Sequence, residues 1–459
     1  MPDTSLDTEP PTKTPSRAGF SSRLGFVLAA AGSAVGLGNI WSYPTQVAEN
    51  GGAAFVVIYF LLTILLAYPA LVAELLIGRY AQSNPVSALE KLPENIVWQP
   101  VTRLTALIAV LMICLIFSFY SIVGGWIMGF TLSPLLELLS FNTAAHWLET
   151  FSPARNLLLA VLFTIATLAV VNGGVKDGIE RWSSRLMPLL IVLLLALIAF
   201  VTTQPGAMEG LKHYLVPDIS RIDTSLVLSA LGQAFFSMSL GVGAMMVYGS
   251  YLSKTSNLPT VAFQVCMLDT AIAFLAGLLI IPALFVALNL GINIYSESGQ
   301  LIHSDTLVFE VLPALFGALG SFGVPVAIAF FCLMSIAALT SSISMLEVPV
   351  SCLIERAGMN RTKASTLVCL GVLLIVALVT SSFDPLFGAI VTLTTQYAQP
   401  LNGLLFCLYA GWLMGRNRKL QEIRKGWPEV EQSLFWRIWP WYIRIVCPTL
   451  IAIIFLAEH

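Results

Sequence analysis

The chain has 459 residues, 57% of them hydrophobic and only 10% charged, with a formal net charge of −2. A soluble domain carries about 25% charged residues, so this is a polytopic membrane protein, and its charge balance offers no surface for nucleic acid. The seven cysteines lie in or beside apolar runs without metal-ligand spacing, and their odd number argues against a disulfide framework. None of the four histidines falls in a predicted core segment, which argues against a histidine metal site.

The first 19 residues are rich in Pro, Thr, Ser and Asp and read as a flexible cytoplasmic tail. The first apolar run is too long and begins too late for a cleavable signal peptide. Eleven stretches have membrane-spanning length: 24–48, 52–78, 102–132, 156–172, 179–203, 226–252, 258–289, 322–353, 364–382, 387–412 and 441–457. With the N-terminus in the cytoplasm, twenty Lys/Arg fall inside and three (Arg155, Lys212, Arg221) outside. An odd span count then puts the C-terminus outside. Segments 204–225 and 290–321 become long external loops, and the second has room for a short helix or lid.

The first span holds Gly32-Ser33-Ala34-Val35-Gly36-Leu37-Gly38-Asn39, with Pro44 five residues on. Glycine costs a helix about 1 kcal/mol relative to Ala, and freed backbone groups in lipid need partners. The reading is a helix broken at mid-membrane whose bare carbonyls and amides line a site; the alternative is close helix packing through small residues. A partner stretch, Ser237 to Ala244, places Gly241 and Gly243 at the same offset from Gly36 and Gly38. Interrupted segments at corresponding places in two halves are a pointer to a transporter's binding site. Charged residues inside spans are expensive and functional by default. Here they are Glu74, Asp269 and Glu347. Glu74 reads as an acceptor for orphan amides of a broken helix, and Glu347 receives no specific role.

The run Gly32 to Asn39, continuing through Ile40-Trp41-Ser42-Tyr43-Pro44 and Glu49 to Phe55, resembles the neurotransmitter:sodium symporter family, in particular its bacterial amino-acid transporters of the leucine-transporter type. Gly78-Arg79-Tyr80, Ser118-Phe119-Tyr120, Gly232 to Ser237 and Leu339 to Ser344 extend the resemblance in family order. It implies an all-α fold with eleven transmembrane helices in a 5+5 inverted repeat, helices 1 and 6 unwound. The repeats would be 20–203 and 226–412, with 204–225 an external loop and 413–459 a cytoplasmic loop plus helix 11. It implies a Na⁺-coupled symporter, not an enzyme, in the inner or plasma membrane as monomer or dimer.

The resemblance also implies two Na⁺ sites. One uses carbonyls of Gly32, Val35 and Ala337 with the hydroxyls of Thr340 and Ser341. The other uses Ala34, Asn39, Ser237 and Asp269, completed by the substrate carboxylate. The substrate pocket is expected from Ala34, Gly38, Ile116, Tyr120, Phe236, Ser237, Ser239, Val242, Ser341 and Met345. Tyr120 would otherwise be an ordinary packed aromatic. Gly36 stands where amine-transporting members carry Asp, so the substrate should bring its own carboxylate. A neutral, largely apolar amino acid is expected; a related zwitterion such as taurine or GABA, or a non-transporting amino-acid sensor, are the alternatives. Asp269 replaces a neutral Asn, which predicts chloride independence.

Two departures concern the gates. The family's external Arg is Ser42 here, and Phe387 takes the place of its Asp partner, with Asp384 available from a shifted register. Tyr120 and Phe236 would then carry external closure. Internally, Arg17 and Glu355 with Tyr251 form the expected gate. Gly178 and Pro188 have the spacing of a fifth span that unwinds, or of a static kink.

Overall fold

A computed structural model describes residues 19–292 and 307–457 of the chain. Arg17 and the centre of the 290–321 loop lie outside the described residues. Every regular element described is helical, with no strand among them.

Among the described residues seven helices are long and apolar enough to cross a membrane: Ala53–Ala81, Ile96–Leu138, Pro153–Asn172, Gly174–Val201, Leu258–Asn289, Gly320–Ala357 and Arg361–Ser381. An eighth crossing is the bent pair Arg23–Ala34 and Gly38–Glu49, whose halves meet at 56°. Three further expected spans are assembled from shorter pieces. They are Thr224–Ser237 with Ala244–Tyr251, the helical run 383–413, and the helical run 434–457. Large apolar side chains such as Leu107, Leu111, Leu374 and Leu378 stand exposed along these helices, as they do when lipid is the solvent.

The first break has a local cause. Ser22 starts the helix, its Oγ accepting the Gly25 amide at 2.9 Å. At Val35 the backbone turns extended (φ −67°, ψ 106°). Asn39 then folds back, its Oδ1 accepting the Gly36 amide at 3.0 Å. The helix resumes as a wide turn over Gly38–Ser42. The second break needs positive φ at Ser239, Gly241 and Gly243 (51°, 80° and 78°), a conformation glycine adopts without strain. Its freed Gly241 amide donates to Glu74 Oε1 at 2.7 Å. Glu74 is 1% exposed, so the carboxylate is fixed on the break it serves.

The fifth span departs from an unwound segment. Gly174–Glu180 is a widened π-type turn that continues into a helix through Pro188. A side chain at Gly178 would meet the Val170 carbonyl at 2.2 Å, so close packing is what that glycine permits.

The loop helix Ala207–Leu215 lies outside the expected spans and packs on Leu258–Asn289. On the other side, Arg79 and Glu422 form a buried ion pair at 3.1 Å, 0% and 1% exposed. Arg79 also donates to the carbonyls of Ser256 and Glu422, both at 2.7 Å. One guanidinium thus ties the second span to two connecting segments.

Candidate functional site: two helix breaks facing each other

The two breaks meet. Ser239 Oγ donates to Ser33 O at 3.3 Å across them. Around the junction the chain gathers oxygens in two groups.

The first group surrounds Asp269, which is fully buried. Its Oδ1 accepts from Asn39 Nδ2 at 2.8 Å and its Oδ2 from Ser237 Oγ at 2.8 Å. Asn39 Nδ2 also reaches Ser237 Oγ (2.9 Å) and the Asp269 carbonyl (3.1 Å). Tyr59 approaches Ser237 Oγ at 3.5 Å. Among the described residues no basic group forms an ion pair with Asp269. A buried carboxylate without a counter-charge is costly unless a cation joins it.

The second group lies between the first break and the eighth span. Ser341 Oγ donates to the carbonyls of Ser33 (3.0 Å) and Val35 (3.2 Å). Thr340 Oγ1 points back to Ala337 O at 3.0 Å. A Cβ placed on Gly32 would meet Thr340 Cβ at 3.4 Å. Val35 and Ser341 thus meet where the first break packs on the eighth span, and Gly32 lies against Thr340. Hard cations take oxygen ligands of this kind.

Between the groups is a cavity of about 20 Å³, bounded by Ala34, Gly36, Gly38, Ile116, Tyr120, Phe236, Ser239, Val242, Ser341 and Met345, together with Ile113, Ser344 and Gln399. Tyr120 OH accepts the Leu37 amide at 3.1 Å. A Cβ on Gly36 would sit 2.3 Å from Ser341 Oγ and 2.6 Å from Tyr120 OH, so only glycine fits there. Ser237 belongs to the Asp269 group rather than to the cavity lining.

Outside this cavity a larger one, about 460 Å³, is lined by Trp41, Ser42, Gln233, Phe236 and Phe387 among others. Phe236 borders both, which makes it the partition. Ser42 Oγ donates to Gln233 Oε1 at 2.7 Å, and Gln233 Nε2 donates to Gly38 O at 2.7 Å. A neutral latch thus joins the outer halves of the two broken spans. Phe387 has become an aromatic contact, stacked on Phe383 (4.7 Å) and Trp126 (5.8 Å) and edge-on to Phe119 (6.1 Å). The Asp384 side chain lies outside the described residues.

At the opposite end of the molecule Tyr251 OH donates to Glu347 Oε1 at 2.7 Å, and Arg361 pairs with Glu347 Oε2. Glu355 Oε2 accepts from Asn84 N (2.8 Å) and Nδ2 (2.9 Å). Phe20 packs its ring against Phe26, Tyr248 and Tyr251. Sequence reasoning missed the Glu347–Arg361–Tyr251 cluster. Its signal was available: a buried acid at the inner end of a span with an Arg fourteen residues on. Gln233 and Gln399 were also missed as polar groups at the site.

An all-helical membrane protein whose two interrupted helices expose backbone oxygens around a buried acid is of the secondary-transporter class. The family model described as "Sodium:neurotransmitter symporter family" matches residues 17–156 and 154–459. The chain belongs to that family, and it is therefore a multi-pass membrane transporter rather than an enzyme. It is 36% identical over 452 residues to an uncharacterized sodium-dependent transporter, YhdH, of Bacillus subtilis, covering 95% of this chain and 96% of that one. It is 32% identical over 469 residues to an uncharacterized sodium-dependent transporter of Haemophilus influenzae, covering 97% and 99%. Among solved structures it is similar to MhsT in complex with L-phenylalanine, with a TM-score of 0.84, 38% identity, and 96% and 100% of the two chains covered.

Proposed function

We propose that the chain imports a neutral, largely apolar amino acid together with two Na⁺, without a requirement for chloride. The observation that carries this reading is Asp269, a buried carboxylate held by Asn39 and Ser237 against the first helix break with no basic partner among the described residues. One Na⁺ would take oxygens from Ala34, Asn39, Ser237 and Asp269. The other would take carbonyls of Gly32, Val35 and Ala337 with Thr340 and Ser341.

The substrate's carboxylate would join the first Na⁺ and the Tyr120 hydroxyl, near the amide end of the restarted half-helix, where partial positive charge favours anions. Its ammonium would meet carbonyls of the second break and the Ser341 region. Gly36 brings no side-chain carboxylate of its own to this end of the cavity, so the substrate would supply it. Ion and amino acid then neutralise each other in a place where neither sits alone cheaply, and this is the coupling. Each Na⁺ moving inward down 100 mV contributes about 2.3 kcal/mol. The L-phenylalanine of the MhsT complex supports an amino-acid ligand here. The site sits in the cell membrane with the N-terminus cytoplasmic, in keeping with the Lys/Arg distribution. Closure outside would rest on Phe236 and Tyr120 with the Ser42–Gln233 latch, and inside on Glu355 and Tyr251.

Thermal unfolding of the purified chain against a panel of amino acids, taurine and GABA tests the reading, with NaCl or choline chloride as the salt. A ligand that binds only the folded state stabilises it by mass action. A neutral amino acid that raises Tm in Na⁺ and not in choline is the expected result. Stabilisation by taurine or GABA alone, or equal stabilisation in choline, contradicts it.

A further inference from the structure

The second helix break is pressed from behind by the helical run 383–413. A Cβ on Gly241 would lie 2.2 Å from the Gln399 carbonyl. Gln399 is 2% exposed and borders the small cavity. Its Nε2 donates to Phe235 O at 3.3 Å, a carbonyl that also takes the Leu240 amide at 3.1 Å. That contact fixes which way the amide faces, because turned over it would set oxygen against oxygen. The other atom, Oε1, is enclosed and has no hydrogen-bond partner among the described residues.

Two neighbours share this condition. Asn402, one helical turn on and 3% exposed, has an unpartnered Nδ2, and Glu74 keeps an unpartnered Oε2 beside the break. Of the small cavity's other side-chain walls, Ile113, Ile116, Val242 and Met345 are apolar, and the hydroxyls of Tyr120, Ser239, Ser341 and Ser344 already have hydrogen-bond partners. Buried polar atoms normally find partners, and an acceptor left dry is costly. A pocket meant only for hydrocarbon gains nothing from a glutamine there.

We propose that Gln399 is a specificity-determining residue: it gives the side-chain pocket a hydrogen-bond acceptor, so that the site selects neutral amino acids whose side chain carries a donor. Hydroxyl, phenol, indole and carboxamide side chains satisfy Oε1. A hydrocarbon of the same shape leaves it dry. This rests on the reading of the cavity as an amino-acid site, and it narrows that reading from "largely apolar" to "apolar with one donor". Discrimination of this sort is asymmetric, since a site built to hydrogen-bond a group penalises the analogue lacking it far more than an apolar site penalises a hydroxyl.

Matched pairs differing by one hydroxyl test it on the purified full-length chain in saturating Na⁺: L-tyrosine against L-phenylalanine, L-threonine against L-valine, L-serine against L-alanine. The expected result is that, in at least one pair, the hydroxyl member binds about tenfold more tightly. In Gln399→Met that ratio falls to unity or below. A wild-type preference for the hydrocarbon in all three pairs overturns the proposal without recourse to any variant. So does a hydroxyl preference that survives Gln399→Met. Amino acids that bind with no preference overturn this inference and leave the transport reading standing; failure of every amino acid to bind overturns both.

Discussion

At the scale of single residues, the site is defined by what two positions exclude. Gly36 has no room for a Cβ, with Ser341 Oγ and Tyr120 OH already inside contact distance of one. Gly36→Ala is therefore expected to weaken amino-acid binding by at least about tenfold, measured by scintillation proximity, while the protein still purifies as a monodisperse species. Unchanged affinity would mean the ligand lies elsewhere. Asp269, on the proposed reading, would exclude a second anion in a different sense, by supplying a negative charge at the ion site. Uptake in wild type should then be unaffected when gluconate replaces chloride. In Asp269→Asn the missing charge has to come from solution, so any remaining uptake should become chloride-dependent. A collapse of wild-type uptake in gluconate would contradict the assignment. Both residues stand out in the sequence, since a glycine cluster and an acid inside apolar runs are unusual there, although the glycines also allowed a reading as close helix packing. Gln399 does not, because one amide in an apolar helix acquires meaning only when its unpartnered oxygen is seen beside a cavity.

At the scale of elements, the helix breaks were legible because their causes are local. The positive φ values at Gly241 and Gly243 and the Asn39 side-chain turn are written in residue type. What joins elements was not legible. The loss of Arg at position 42 is visible in sequence, yet its replacement by a Ser42–Gln233–Gly38 chain of hydrogen bonds depends on two half-helices lying side by side. The fifth span likewise kept its helix as a widened turn where sequence allowed unwinding.

The connecting helix Arg416–Arg424 supplies a pH test at this scale. Lys419 is 3% exposed and donates to the last carbonyls of the preceding helix, Ala410 (2.9 Å) and Gly411 (3.1 Å). Burial first, then the nearby Arg444 and Arg416, push its ammonium down to about 8 from the usual 10.5. The unfolded chain thus holds more protons than the folded one between those values, and this group's contribution to stability rises with pH across that window. Below about pH 8 its penalty is constant. In Lys419→Met that component should vanish, so the variant's Tm minus that of wild type should fall as pH is raised from 8 to 10. A difference constant with pH would contradict it.

At the scale of the whole molecule, the two ends are held by different chemistry. One, the outer side on the proposed orientation, has a neutral latch and the Phe236 ring; the other has buried charge, with Glu347 against Arg361 and Tyr251, and Arg79 against Glu422. Removing one partner of a buried pair strands the other, at about 3–5 kcal/mol. Arg79→Met should therefore lower Tm sharply, whereas Ser42→Ala, at the outer latch, should lower it little, about 1 kcal/mol or less. Equal losses would mean that the inner tie carries no special weight.

The central claim is that the paired breaks hold sodium and an amino acid as one unit. Uptake of the stabilising amino acid into proteoliposomes measures this directly, with an inward Na⁺ gradient and an inside-negative potential compared with choline at the same potential. The account predicts concentrative uptake with Na⁺ alone, abolished in Asp269→Ala. Equal accumulation in choline, or full accumulation by Asp269→Ala, would contradict it.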